Sequence, residues 1–429
     1  MKPIIRYWGR KTGSIAEPYI IRYSKPGDII LDPFGGAGSI AKSAILLGRR
    51  FIYSDLNPLA VLIARVEIEG VDVHALETAT RTLLKRQRLY YQDASKRHWV
   101  SRSSLYEVRC MCGARREASY FIWHGDVIVA AKIKCSCGDR SVDLVKEITI
   151  TEPVYDYPHD LLWYSNGLSF KKRRQVNAIP QLFTKRNLLI LSAILKDIKT
   201  LKTDERTKRA LFVAFASILY QASKMSRQNG GTWSVNCYWI PKVHVERNPY
   251  LLFKSALNRI KRLHSVELRV CTSAESVINN DASLAILNSD AKELPLPDNS
   301  TDLIITDPPF TDEIQYFELS YMAASWLGLP MPFDDEIIVN HNQGKNFADY
   351  YNLLSKAFTE LYRVLKPTRR AIIMLHDEDE EVLNTLIELV KASGFIIDGK
   401  KKEQIAQRQI GDRDSIKGKE LLILNCYKP

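Results

Sequence analysis

Residues 28–33, DIILDP, constrain this chain more than any other short stretch. Ile29, Ile30 and Leu31 form an unbroken apolar run, the pattern of a strand buried on both faces. Pro33 must end it, because proline cannot donate to a sheet ladder. GGAGS (35–39) then turns the chain into IAKSAILLG, which has helical spacing. RFIYSD is a second strand, ending at Asp55, and NPLAVLIARVEI opens a helix with Asn57 as N-cap and Pro58 at the first helical position. Strand, helix, strand and helix in that order imply a parallel sheet covered by helices.

The rhythm breaks near residue 70. Residues 75–99 read as a basic helix, 103–150 hold close cysteine pairs and short alternating β runs, and 151–280 are rich in helix signals and basic residues. The α/β pattern resumes near 284, with strands ending at Asp290 and Asp307, a helix at 346–366, strand AIIML (371–375), a helix at 379–393, and strands FIID (395–398) and LLILNCY (421–427). The expected fold is therefore α/β: one doubly wound, mostly parallel, Rossmann-like sheet built from 1–75 and 281–429, interrupted by an insertion at 76–280.

Three strand ends carry candidate chemistry. At the first, Asp32, Pro33 and Phe34 precede Gly35, Gly36 and Gly38, whose turn lets a ligand approach backbone amides at a helix N-terminus. Asp55 ends the neighbouring strand, where an acid suits the paired hydroxyls of a ribose. Nicotinamide-dependent oxidoreductases share that logic, and a plain strand-to-helix turn would also use these glycines. At the second, Asp290, followed by Ala291, faces the same expected crevice; it would accept from an adenine amino group or simply cap a turn. At the third, TDPPF places Asp307, Pro308, Pro309 and Phe310 on a stiff corner. The Asp307 carboxylate and the Pro308 carbonyl could both accept from one exocyclic amino group, while the Phe310 ring would stack on a base. Two acceptors on its protons would favour a more tetrahedral, nucleophilic nitrogen, and positioning would do much of the rest.

Charge and cysteines narrow the partners. The 429 residues allow two or three domains. A formal net charge of +12 points to a polyanion, most simply nucleic acid. FKKRRQ (170–175), KMSRQNGGTW (224–233) and RIKRLH (259–264) make the insertion the natural place for target recognition. No stretch of about 18 apolar residues occurs, so no membrane span is expected, and the charged first residues argue against a secretory signal. The cysteines number seven, an odd count that speaks against a disulfide framework and for a reducing, cytoplasmic setting. Cys110-x-Cys112 and Cys135-x-Cys137 stand 22 residues apart; four thiolates could hold one structural zinc in a ribbon-like unit at 103–150, or remain free thiols of a small β-hairpin.

DPFGGAGS (32–39) and TDPPF (306–310) together resemble the cofactor and catalytic motifs of amino-group DNA methyltransferases. TDEIQYFELSYMAASWLG, RYWGRKT, ERNPYLLF and LYRVLKP resemble a narrower group, adenine-specific DNA methylases with a zinc ribbon. The resemblance implies S-adenosyl-L-methionine held by Asp32, Phe34, Gly35, Gly36, Gly38, Asp55 and Asp290, and a target base held by Asp307, Pro308 and Phe310. It implies WGRKTG (8–13) closing over the methionine part, double-stranded DNA as partner, and a restriction endonuclease as a second partner. Adenine N6 is the implied target, with cytosine N4 next, then an RNA amino group; a non-catalytic DNA-binding subunit is the other class. Since a stacked base cannot reach the corner, base flipping is implied. Phe310 stands where tyrosine is more usual, and LKPTRR lacks the glycine that often follows LKP.

Overall fold

A computed structural model describes residues 7, 13–86, 88–92, 97–137, 141–144, 152–170, 176–227, 238–263, 268–408 and 416–429. The central sheet has strands β1 (Ile29–Asp32), β2 (Arg50–Asp55), β3 (Val270–Cys271), β4 (Leu284–Asn288), β5 (Thr301–Thr306), β6 (Leu365–Leu375), β7 (Ile396–Arg408) and β8 (Ile416–Tyr427). Their spatial order is β3-β4-β2-β1-β5-β6-β8-β7. Every pairing from β3 to β6 is parallel, and β8 runs antiparallel to both β6 and β7.

Strand β1 is buried at all four positions, which explains its unbroken apolar run. Its side chains alternate between two cores. Ile30 joins Ala41, Ala44 and Ala64 from helices Ser39–Leu46 and Pro58–Glu69. Ile29 and Leu31 join Tyr350, Leu354, Phe358 and Leu386 from helices Phe347–Val364 and Glu380–Ala392. Asn57 caps its helix as expected, accepting from the Leu59 amide at 3.0 Å. The two innermost strands, β1 and β5, meet in register as Ile30 beside Leu303 and Leu31 beside Ile304. That pairing sets the ends that carry Asp32 and Asp307 side by side.

Among the described residues, the chain between β2 and β3 includes helices Val73–Lys85, Lys185–Thr200, Glu205–Ala222 and Pro249–Ile260 and three small sheets. Its apolar core continues into Phe317, Met322 and Trp326 of helix Tyr316–Leu327. The sheet resumes at Val270, ahead of the 281 boundary drawn from the sequence.

The basic helix expected over 75–99 stops at Lys85. Strands Arg88–Gln92 and Arg97–Ser101 follow, with Tyr90 opposite Trp99 and both Leu89 and Val100 buried. Leu89 is buried between exposed Arg88 and Tyr90, and Val100 beside exposed Trp99, an alternation that suits a strand. Within the basic runs, Phe170, Met225 and Ser226 are fully buried and Lys261 pairs with Glu77 at 3.2 Å, so these side chains are structural. Residues 171–175, 228–233 and 264 of those runs, and 8–12 of the WGRKTG segment, lie outside the described residues. Among the described residues no helix is long and apolar enough to cross a membrane.

Candidate active site

The carboxyl ends of β1, β2, β4 and β5 open on one cavity of about 1070 Å³, its mouth included. Asp32, Pro33, Phe34, Gly35, Gly36, Asp55, Asn57, Asp290, Ala291, Asp307 and Pro309 all line it. Motifs some 270 residues apart in the chain thus meet at a single crevice, as doubly wound sheets arrange at their strand ends.

Asp32 is 3 % exposed. Its Oδ1 accepts from the Thr306 hydroxyl at 2.8 Å and from the Phe34 amide at 3.2 Å. Burial pushes its carboxyl up to about 7 against the pull of those donors, and nearby Asp307 and Asp55 add to the rise. Asp55 accepts from the amides of Gly36 and Asn57, each at 2.8 Å, yet burial still raises it to about 6. Asp290 holds the Lys292 ammonium at 2.7 Å and accepts from the Lys292 amide at 2.9 Å. Asp32, Asp55 and Asp290 share the lining with the apolar Phe34, Leu56, Ile40 and Ile337 and with three further acids, Asp307, Asp335 and Glu336.

The glycines of the turn answer to their immediate surroundings. A Cβ on Gly35 would stand 2.3 Å from the Tyr53 ring, whose hydroxyl donates to the Gly36 carbonyl at 2.7 Å. Gly38 caps its helix at φ +76°, and a Cβ there would stand 2.8 Å from Ile68 Cδ1. Gly38 is not among the residues lining the cavity.

The corner after β5 is braced. The Tyr350 hydroxyl donates to the Pro309 carbonyl at 2.9 Å. Thr311 takes φ +21°, its hydroxyl donates to Asp377 Oδ2 at 2.8 Å, and its carbonyl accepts from the Val339 amide at 3.0 Å. Pro308 and Phe310 do not line the cavity. The Phe310 ring is 9 % exposed and meets the His376 ring edge-on, centroids 5.4 Å apart. The ring packs in the sheet's own apolar cluster, and Phe310 lines a second cavity with Thr311, Glu313 and His376. Tyr316, six residues on, lines the first cavity, stacked at 6.0 Å on Tyr7.

Sequence reasoning passed over Tyr7, Tyr316 and Glu336, all of which line the cavity. Tyr316 had a signal, since it opens the helix directly after the corner. Glu336 had none. It is 5 % exposed, accepts from the Phe317 amide at 3.0 Å and from Gln343 Nε2 at 3.2 Å, and burial raises its carboxyl. Nearby, Glu318 accepts from the Tyr164 hydroxyl and, at 3.1 Å, from Asn340 Nδ2. This buried network ties the insertion to the helix that bears Tyr316.

A second cluster sits in the insertion. The sulfurs of Cys110, Cys112, Cys135 and Cys137 lie within 4.8 Å of one another. Cys110 and Cys137 are 3.2 Å apart, Cys112 and Cys135 3.7 Å. Tetrahedral zinc with bonds of about 2.3 Å spaces its thiolates by roughly 3.8 Å, so the short C-x-C spacing does not prevent convergence. Gly113, at φ +82°, donates to the Cys110 carbonyl at 2.8 Å and makes the turn between strands Glu107–Cys110 and Arg115–Glu117.

Comparison with known proteins agrees with the motifs. Residues 9–65 match the DNA methylase family N6_N4_Mtase. The chain is 21% identical over 439 aligned residues to the Type II methyltransferase M.MjaII of Methanocaldococcus jannaschii, covering 95% of this chain and 77% of that protein. It is 34% identical over 65 residues to the Type II methyltransferase M.Cfr9I of Citrobacter freundii, covering 15% of this chain and 22% of that one. Among solved structures, a SAM-dependent methyltransferase of Methanosarcina mazei aligns with a TM-score of 0.21 and 11% identity, over 37% of this chain and 80% of that one. The glycine-rich turn and the Asp-Pro-Pro-Phe corner thus meet on one strand-end crevice in a chain that is similar to amino-group (N6/N4) DNA methyltransferases.

Proposed function

We propose that the protein uses S-adenosyl-L-methionine to methylate the exocyclic amino group of a base flipped out of duplex DNA, with adenine N6 the first target and cytosine N4 the second. One observation carries the reading: Asp32 and Asp55 beside the glycine turn share a cavity with Asp307 and Pro309 of the corner. The cavity suits such a cofactor by its donor set. Its acidic lining fits a ligand that is cationic and bears ribose hydroxyls, and the walls at Phe34, Leu56 and Ile337 fit a flat purine. Asp55 would take the ribose hydroxyls, Asp290 the adenine amino group, and Asp32 with the amides of the turn the methionine part.

Bound there, the cofactor supplies an electrophilic methyl group on a sulfonium. The chain's own work is positioning. The Asp307 carboxylate and the Pro308 carbonyl accept the two protons of the target amino group, which frees its lone pair from the ring. Asp307 then stands ready to take the proton that the methylated nitrogen sheds. Tyr350 stiffens the corner through the Pro309 carbonyl, and Tyr316 offers the ring that faces the cavity. The adenine preference follows the resemblance of Asp307-Pro308-Pro309-Phe310 to adenine-specific enzymes.

Zinc on Cys110, Cys112, Cys135 and Cys137 would be structural, since four thiolates close its coordination. A restriction endonuclease of matching specificity is the partner that the Type II names of the relatives suggest. Nucleoside mass spectrometry of duplex DNA incubated with protein and cofactor tests the reading. N6-methyladenine is expected; N4-methylcytosine would move the target to the second base, and neither product would overturn the proposal.

A further inference from the structure

Two segments far apart in the chain line the strand-end cavity beside the end of β4. Asp290 stands just beyond that strand, and Asp335, Glu336 and Ile337 belong to the segment that follows helix Tyr316–Leu327. Lys292 joins the two. Its side chain is only 13 % exposed, and its ammonium reaches Asp290 Oδ2 at 2.7 Å, the Asp335 carbonyl at 3.0 Å and Asp335 Oδ1 at 3.5 Å. Those three acceptors match the three donors of an ammonium. The Lys292 amide also donates to Asp290 Oδ1 at 2.9 Å. One residue therefore engages both oxygens of Asp290, one from its backbone and one from its side chain.

This arrangement has two consequences. It fixes the direction of the Asp290 carboxylate without exhausting it, because each carboxylate oxygen can accept a further hydrogen bond and Asp290 still lines the cavity. It also anchors the opposite segment. Lys345 takes the carbonyls of Phe333 and Glu336 at 2.6 and 2.8 Å, and Lys292 takes that of Asp335 between them. Without Lys292, Asp290 and Asp335 would face each other with no ammonium between them, and their repulsion would part the two segments. Few side chains lose more rotamer freedom on ordering than lysine, so one held at three points off the surface acts as a strut rather than a solvated charge.

We propose that Lys292 is the positioning residue for the adenine end of the cofactor: by locking Asp290 and holding the 333–337 segment against it, Lys292 makes the site select a purine that carries a 6-amino group. This deepens the methyltransferase reading above and rests on it. The test is calorimetric binding of two ligands, S-adenosyl-L-homocysteine and its analogue with hydrogen in place of the 6-amino group, to the full-length wild type and to Lys292→Met. A hydrogen bond to a charged acceptor corresponds to a wild-type preference of about ten- to a hundredfold for the amino form. Lys292→Met should cut that preference to about threefold or less, while binding the amino-free form within about threefold of the wild type. Unfolding midpoints without ligand check folding, and Lys292→Gln takes the place of the methionine variant, with the same expectation, should that one fail to fold. An undiminished preference in the variant would overturn the proposal. So would an equal loss for both ligands, the mark of a purely structural lysine. A wild type without preference would remove the Asp290 contact that Lys292 serves, and with it the proposal, while leaving methyl transfer itself intact. A wild type that binds neither ligand would overturn the methyltransferase reading beneath it.

Discussion

Replacing Asp32 with asparagine should make the cofactor-free protein more stable at high pH while weakening cofactor binding. Asp32 is buried, and its carboxyl sits at about 7 against an ordinary 3.8. A carboxyl raised in the folded state gives stability that is fully present below its unfolded pKa and lost as pH climbs through the folded one. The window here runs from about pH 4 to pH 7. A gap of about 3 pH units, at about 1.4 kcal/mol each, makes the ionised carboxylate cost about 4 kcal/mol at pH 8. Asparagine carries no such charge, and its amide oxygen can still accept from the Thr306 hydroxyl and the Phe34 amide. Denaturant unfolding of both proteins at pH 4, 6 and 8 measures the difference. Asp32→Asn should match the wild type near pH 4 and exceed it at pH 8, by up to about 4 kcal/mol. The added stabilisation by S-adenosyl-L-methionine should fall in the variant. A variant that is less stable at pH 8, or a difference that does not change with pH, would refute the reasoning.

Three further outcomes rest on the same structure. Affinity for S-adenosyl-L-methionine should tighten about tenfold or more between pH 5.5 and 7.5, as Asp55 and Asp32 give up protons in favour of a cation; a flat profile by calorimetry would contradict this. Purified protein should hold about one zinc per chain, and a chelator should lower its unfolding midpoint; metal-free protein of equal stability would leave the cysteines as free thiols. Tyr164→Phe removes a hydroxyl that donates to buried Glu318 and accepts from Asn340 at 3.1 Å, so it should cost about 1–3 kcal/mol in unfolding experiments; no measurable loss would sever the proposed tie between insertion and catalytic helix.

The strand ends were legible because β1 and β5 are buried on both faces, so their apolar runs are unbroken and their terminal acids stand out. Asn57-Pro58 announced its helix by local chemistry alone. Phe310 was legible as an aromatic on the corner, but the direction of its ring was not: that depends on His376 and the apolar cluster of the sheet. Tyr7 and Glu336 reach the cavity from segments more than 300 residues apart; Tyr7 lies in the RYWGRKT motif, but nothing in the sequence marks its ring as cavity-lining, and no periodicity or motif marks Glu336. The paired strands 88–92 and 97–101 carry little strand signal in sequence, because Arg88, Gln92 and Arg97 favour helices and each strand is only five residues long.

The account stands on Asp307 acting in the cavity that Asp32 and Asp55 share. The most direct measurement is labelled-methyl transfer from S-adenosyl-L-methionine to duplex DNA by the wild type and by Asp307→Ala, with cofactor binding measured on both. The account predicts transfer by the wild type, a loss of at least about 100-fold in the variant, and cofactor binding retained in both. Equal transfer by the variant, or loss of cofactor binding together with activity, would contradict the role given to the corner.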